Sequence, residues 1–282
     1  MKRWGHTATQ LSDGRVLVAG GLSAPQANGA DLYLASAEIY DPTSNRWSPA
    51  ADMPVALGDQ GNTGTLLRDG RVLIVGGDVA ALYDPKSNRW SSVASLMEPA
   101  RSPHTATLLA NGKVLVLGGC AERTSLACTR FAEPQLFDPA KNQWSFAGAM
   151  PQAREGSSAT LLPSGLVLVA GGYGPAWVSA SADLYDPNAS RWSTTADMSV
   201  ARAGPVAVLL KSGSVLVMGG SFLGNMRSAE LYTPPGAGLA PAAANASSSL
   251  PVGLAIPILS GAAVLAALLY LVAAWRRGRR QS

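Results

Sequence analysis

Five copies of one apolar hairpin, a repeat period of about forty to fifty-five residues and a low share of charge together predict an all-β protein of the β-propeller type. The clearest copy is HTATLLANGKVLVLGG at residues 104–119. The others are HTATQLSDGRVLVAGG ending at Gly21, TGTLLRDGRVLIVGG at Gly77, SSATLLPSGLVLVAGG at Gly172 and PVAVLLKSGSVLVMGG at Gly220. The first glycines of the pairs are 56, 42, 53 and 48 positions apart, a spacing that marks propeller blades or a similar array. Only 14% of the 282 residues are charged, Gly (30) and Pro (19) are plentiful, and long amphipathic helical patterns are absent from the first 235 residues.

Each element follows from local chemistry. Val114, Leu115, Val116 and Leu117 form a short continuous apolar run bounded by glycine, which suits a strand buried on both faces. Asn111-Gly112 is expected to make a two-residue turn with positive φ angles. After each glycine pair comes a variable loop and then AEIYDPTSNRW, AALYDPKSNRW, PQLFDPAKNQW or ADLYDPNASRW, with AELYTPPG as a partial fifth. In the Asp-Pro turn the carboxylate accepts backbone N–H groups two residues on, and proline presets the next φ. The tryptophan that follows (Trp47, Trp90, Trp144, Trp192) opens a fourth strand, fills the wedge between blades and needs a partner for its N–H.

These motifs, with the M-x-x-A-R segment after the tryptophan, resemble the kelch repeat over residues 1–235. The resemblance implies a propeller of four-stranded blades, here five repeats with an incomplete last blade of three strands. Kelch rings usually close by pairing strands from both chain ends, and residues 1–5 offer no substitute strand. We therefore expect the propeller at 1–235 to be an N-terminally shortened version of a longer exported protein.

Residues 236–249 have a linker composition. Residues 250–275 carry no charge over 26 positions, about 39 Å if wholly helical, which predicts a transmembrane helix anchored in the lipid bilayer. The basic tail 276–282 follows, and its Arg276, Arg277, Arg279 and Arg280 favour a cytoplasmic C-terminus with the propeller outside. A tail-anchored cytoplasmic adaptor is the rival topology. Those four arginines carry the whole net charge of +4, leaving 18 basic against 18 acidic residues, so no electrostatic footprint for nucleic acid exists.

His6 and His104 occupy one repeat slot, filled elsewhere by Asn62, Ser157 and Pro205, and no His/Cys cluster has metal-ligand spacing. We expect no metal, no cofactor and no catalytic residue. Cys120 and Cys128 share one irregular loop, where reduced thiols or a local disulfide are both compatible and the disulfide is expected. Arg3, Arg101, Arg154 and Arg202 fall on the loop-rich face, with Asp59 replacing arginine in the second repeat. A ring of arginines would suit an anion or carbonyl ligand, whereas the plainer role is bonding backbone carbonyls of the neighbouring blade. Arg123, Arg130, Trp177 and Phe222 are the loop residues expected to touch a protein or carbohydrate partner. The resemblance also leaves open a surface-anchored enzyme of the galactose-oxidase-like or sugar-epimerase type.

Overall fold

The computed structural model describes residues 2–235 apart from 24–31, 59–60, 78, 95–100, 122–127 and 223. The expected linker, membrane helix and basic tail, and Arg123 and Asp59, lie outside the described residues. Among the described residues no helix is long and apolar enough to cross a membrane.

The strands form five blades, each an antiparallel meander running outward from the propeller axis. Blade one is β1 (Thr7–Gln10), β2 (Val16–Ala19), β3 (Ala37–Asp41) and β4 (Arg46–Ala50). Blade two is β5 (Thr63–Leu66), β6 (Val72–Gly76), β7 (Val79–Asp84) and β8 (Arg89–Ser92). Blade three uses β9 (Thr105–Leu108) and β10 (Val114–Leu117), then β13 (Gln135–Asp138) and β14 (Gln143–Phe146). Between them β11 (Cys120–Ala121) and β12 (Thr129–Arg130) pair as a separate ribbon. Blade four uses β15 (Ser158–Leu161), β16 (Val167–Ala170), β19 (Ala182–Asp186) and β20 (Arg191–Thr194), with the ribbon β17 (Tyr173–Gly174) and β18 (Trp177–Val178) between. Blade five has, among the described residues, the three strands β21 (Val206–Leu209), β22 (Val215–Met218) and β23 (Ala229–Tyr232). The innermost strands β1, β5, β9, β15 and β21 pack side by side in chain order.

Alternation along the second strands builds the core. In β6, Val72 and Ile74 face blade one while Leu73 and Val75 face blade three. That is why the run is apolar at every position, and why all four residues of β10 are wholly buried. Four apolar clusters, one per neighbouring pair of blades, hold the array together.

The Asp-Pro turns form as their residues predict. Asp41, Asp84, Asp138 and Asp186 each accept the N–H two residues on, at 2.8–3.1 Å. The inner hairpin turns differ from expectation. Only the glycine takes positive φ (Gly112 at 83°), because the turn is a three-residue loop with a bulge. Gly112 N–H donates to the Leu109 carbonyl and Leu109 N–H to Lys113, and the same pair of bonds recurs in all five copies. The Asn111 side chain accepts Lys113 N–H at 3.1 Å, which fixes this geometry without a second left-handed residue.

The tryptophans lie against the third-strand aromatics, with centroids 4.9–5.1 Å apart. The indole N–H of Trp90 donates to the Ala51 carbonyl, Trp144 to Ala94 and Trp192 to Ala147, each in the preceding blade. Trp47 has no preceding blade among the described residues and is 57% exposed. The asparagine before the Arg-Trp or Gln-Trp pair adds a second tie. Asn88, at φ 51°, accepts the Tyr83 hydroxyl at 2.8 Å and the Ala51 N–H at 2.9 Å.

Candidate functional site: the loop face

The arginines of the M-x-x-A-R segments come first, because their geometry decides what remains for a ligand. Arg101, Arg154 and Arg202 are at most 2% exposed. Arg202 donates from Nη1 to the carbonyls of Gly219 and Ser228, at 3.0 and 2.8 Å. Its Nη2 reaches Ser228 Oγ at 3.0 Å and Glu230 Oε1 at 2.9 Å. Arg154 repeats the pattern with Gly171, Ser181 and Asp183, and Arg3 with Gly20, Ser36 and Glu38. Each arginine therefore clips the end of the second strand to the start of the third in its own blade, not in the neighbouring one. The fork geometry of guanidinium makes four such bonds at once.

The partner is written in the sequence as Ser-Ala-Glu or Ser-Ala-Asp just before the third-strand aromatic, at residues 36–38, 181–183 and 228–230. Blade three varies it. Gln135 replaces the acid, and Arg101 donates to the Glu133 carbonyl at 2.7 Å and lies 4.7 Å over the Phe131 ring. In blade two Leu57, and not Asp59, fills the arginine slot. Its carbonyl accepts the Gly21 N–H, as the Arg154 carbonyl accepts Gly119 and the Arg202 carbonyl accepts Gly172. Ala81 stands at the acid's register position there, so the charged pair is replaced by an apolar one. Two extra residues between Leu57 and Asn62 displace the count, which is why repeat alignment from the histidine slot points to Asp59.

Burial pushes the Asp183 carboxyl up, against the pull of Arg154. Glu230 behaves oppositely. Burial raises it, but the Ser199 backbone N–H and Arg202 outweigh that and hold it below the ordinary glutamate range.

The histidines are structural in their contacts. His104 is buried, with Nε2 3.1 Å from Thr63 Oγ1 and Nδ1 3.1 Å from the Arg101 carbonyl, so it ties blade two to blade three. His6 is held below its ordinary value by burial and then by nearby Arg3, which keeps it neutral.

With the arginine clips buried, four short ribbons stand on the loop face. Trp4, Leu22 and Tyr33 are bridged in sequence over blade one. Ser102, Cys120 and Arg130 make the equivalent over blade three, Glu155, Tyr173 and Val178 over blade four, and Ala203, Ser221 and Asn225 over blade five. The second glycine of each pair starts the ribbon's middle strand, and loop length decides whether one forms. Blade two, with only two positions between β6 and β7, has none among the described residues.

The ribbons present aromatic surface. Trp177 is 65% exposed, Tyr33 56%, Trp4 44% and Phe222 41%. Trp177 also has φ 120°, a conformation costing a non-glycine residue about 1–3 kcal/mol. Arg130 is half-buried, 3.4 Å from Glu155 Oε1 and 5.9 Å over the Tyr173 ring, and so joins the ribbons of blades three and four. Cys120 and Cys128 are joined as a disulfide beneath it. Changing both cysteines to serine should lower stability by about 2–3 kcal/mol, judged from the size of the closed loop. Denaturant midpoints with and without reductant check this.

Comparison with known proteins agrees with this architecture. Residues 3–54 match the family model described as Kelch motif. No curated protein matches the chain. The solved structure "Structure of YjhT" is similar with a TM-score of 0.65 at 17% identity, covering 83% of this chain and 82% of that one. A "Novel fungal alcohol oxidase with catalytic diversity among the AA5 family, in complex with copper" is similar with a TM-score of 0.54 at 16% identity. The match covers 83% of this chain and 63% of the oxidase, which is less than two thirds of its length. The fold is a β-propeller, and residues 3–54 carry a kelch motif. The copper is that oxidase's own. Both cysteines are spent on a disulfide, and both ring nitrogens of His104 already have hydrogen-bond partners. Among the described residues the one group of metal-capable side chains is Cys120, Cys128 and Glu155, where only the carboxylate stays free to ligate.

Proposed function

We propose that this chain is a membrane-anchored recognition module whose loop face binds a protein or carbohydrate ligand. The observation that carries it is the contrast on that face. The arginine layer is buried and committed to the blades, while Trp4, Tyr33, Trp177 and Phe222 are held up on hydrogen-bonded ribbons and left exposed. Large rigid aromatics give contact area at low entropic cost, Trp and Tyr add a polar tip, and Trp177 is held there at the expense of backbone strain. Arg130 and Glu155 supply polar groups at the seam between two ribbons.

The anchor is residues 250–275, with the propeller outside the cytoplasm and the arginine-rich tail inside. This rests on the uncharged 26-residue stretch and the four arginines after it. Protease treatment of intact cells should remove the propeller and leave a small protected fragment. Protection of the propeller would instead favour the cytoplasmic adaptor.

Screening the full chain in detergent micelles against glycan arrays and surface-protein extracts should find a ligand. Trp177→Ala with Phe222→Ala should then weaken its binding at least tenfold at unchanged melting temperature. Equal binding by the double variant would remove these residues from the site.

A further inference from the structure

Beneath Arg130 the Cys120–Cys128 disulfide lies against a buried carboxylate. Gly119 N–H donates to the Arg154 carbonyl at 3.1 Å, and this stitch brings the next residue of each segment, Cys120 and Glu155, together at the seam of blades three and four. The two sulfurs and a carboxylate oxygen of Glu155 all lie within 4.8 Å of one another. Glu155 is 4% exposed. Its Oε1 faces Arg130 at 3.4 Å, whereas Oε2 is buried and has no hydrogen-bond partner among the described residues. A disulfide has no proton to offer it, and leaving a buried carboxylate oxygen without a donor costs free energy. A cation held between that oxygen and the sulfurs would remove the cost.

The backbone that carries these groups is held by bonds in which the disulfide takes no part. Cys120 exchanges two hydrogen bonds with Ser102, at 3.1 and 3.2 Å, and pairs with Arg130 in the β11–β12 ribbon. Glu155 exchanges two with Tyr173, at 3.1 and 2.8 Å. Cys128 directly precedes β12. The three side chains therefore stay converged when the S–S bond opens. The cysteine Cα atoms are 5.7 Å apart. Side-chain rotation alone can then set the sulfurs about 3.8 Å apart, the separation of two thiolates each about 2.3 Å from one tetrahedral zinc.

We propose that the reduced protein binds one thiophilic divalent cation, of the zinc class, on the sulfurs of Cys120 and Cys128 and on Glu155 Oε2, with water as the fourth ligand. A dithiol opens the bond: its own two sulfurs are oxidised to a disulfide, while the Cys120 and Cys128 sulfurs take up the two electrons and two protons. The cation then displaces both thiol protons to water, which leaves two thiolates and one carboxylate around a dication. The one surplus negative charge faces the Arg130 guanidinium, which balances it. Oxidation expels the cation and restores the disulfide, so the site is open in one redox state only. It does not depend on the ligand of the exposed aromatics.

The test reduces the full chain in detergent micelles with a dithiol, removes the dithiol without oxygen, and titrates with cobalt(II) and with zinc against a chromophoric chelator. One equivalent should bind, the cobalt form should show thiolate-to-metal charge-transfer absorbance, and zinc should raise the melting temperature of the reduced protein. The oxidised protein should show none of these. Glu155→Gln keeps the shape of the side chain and an oxygen for Arg130. It should leave the melting temperature of the oxidised protein unchanged and weaken zinc binding by the reduced protein at least tenfold. Cys120→Ser with Cys128→Ser should abolish binding. Absence of stoichiometric binding by the reduced chain, equal affinity in Glu155→Gln, or an affinity that survives in denaturant overturns the proposal.

Discussion

Replacing Asp183 with alanine should lower stability by about 3–5 kcal/mol, the range for removing one partner of a buried ion pair. Asp183 is 2% exposed and Arg154 1%, so the guanidinium left behind keeps two carbonyls and a hydroxyl but loses its counter-charge. The protein itself supplies the rescue. In blade two the same slots hold Leu57 and Ala81, both apolar. Arg154→Leu combined with Asp183→Ala rebuilds that pairing in blade four, and should recover at least half of the loss. Chemical denaturation of the two single variants and the double variant gives the coupling directly. Strict additivity would mean that the clip does not act as a pair.

Gly118→Ala should be nearly as damaging, at about 3 kcal/mol. A β-carbon on Gly118 would sit 2.7 Å from the Arg154 carbonyl oxygen, at φ 72°. Left-handed backbone costs a residue with a β-carbon about 1–2 kcal/mol, and forcing the blades apart adds about 1–3 kcal/mol. Gly219 is the control. It has φ 66° and nothing within 4 Å of a built β-carbon, so Gly219→Ala should lose the backbone term alone. Thermal melts of the two variants should differ by several degrees. Equal losses would show that the glycine pair serves only its own hairpin and does not seat the next blade.

Acid titration adds a smaller effect. The folded value of Glu230 lies below its ordinary one, so its contribution to stability is full above the ordinary glutamate range and is lost as pH falls through the lowered value. Glu230→Gln should flatten that part of the stability profile.

Most of the blade architecture was legible because each repeat states it again. The apolar runs, the Asp-Pro turns and the tryptophans recur in phase, so an error in one copy is corrected by the next. The loop face was harder to read. Its ribbons depend on loop length and on bridges between single residues, such as Ser102 with Cys120, that leave no periodic pattern. The arginine clip did leave a signal in the Ser-Ala-Asp/Glu triplets. It is hard to read because the acid lies 28 to 35 positions from its arginine, across a loop of variable length. The Leu57 slot is masked by a two-residue insertion before Asn62, and the Gly21 hydrogen bond exposes it.

The central claim is a division of labour, with arginines and glycines holding the blades and exposed loop-face aromatics holding the ligand. One measurement addresses it: ligand binding and melting temperature of the full chain carrying Trp4→Ala, Trp177→Ala and Phe222→Ala together, beside the Arg154→Leu, Asp183→Ala double variant. The account predicts that the aromatic variant loses binding at least tenfold with its melting temperature unchanged, while the ion-pair variant binds normally below its lowered melting temperature. Normal binding by the aromatic variant, or binding lost by the folded ion-pair variant, would contradict it.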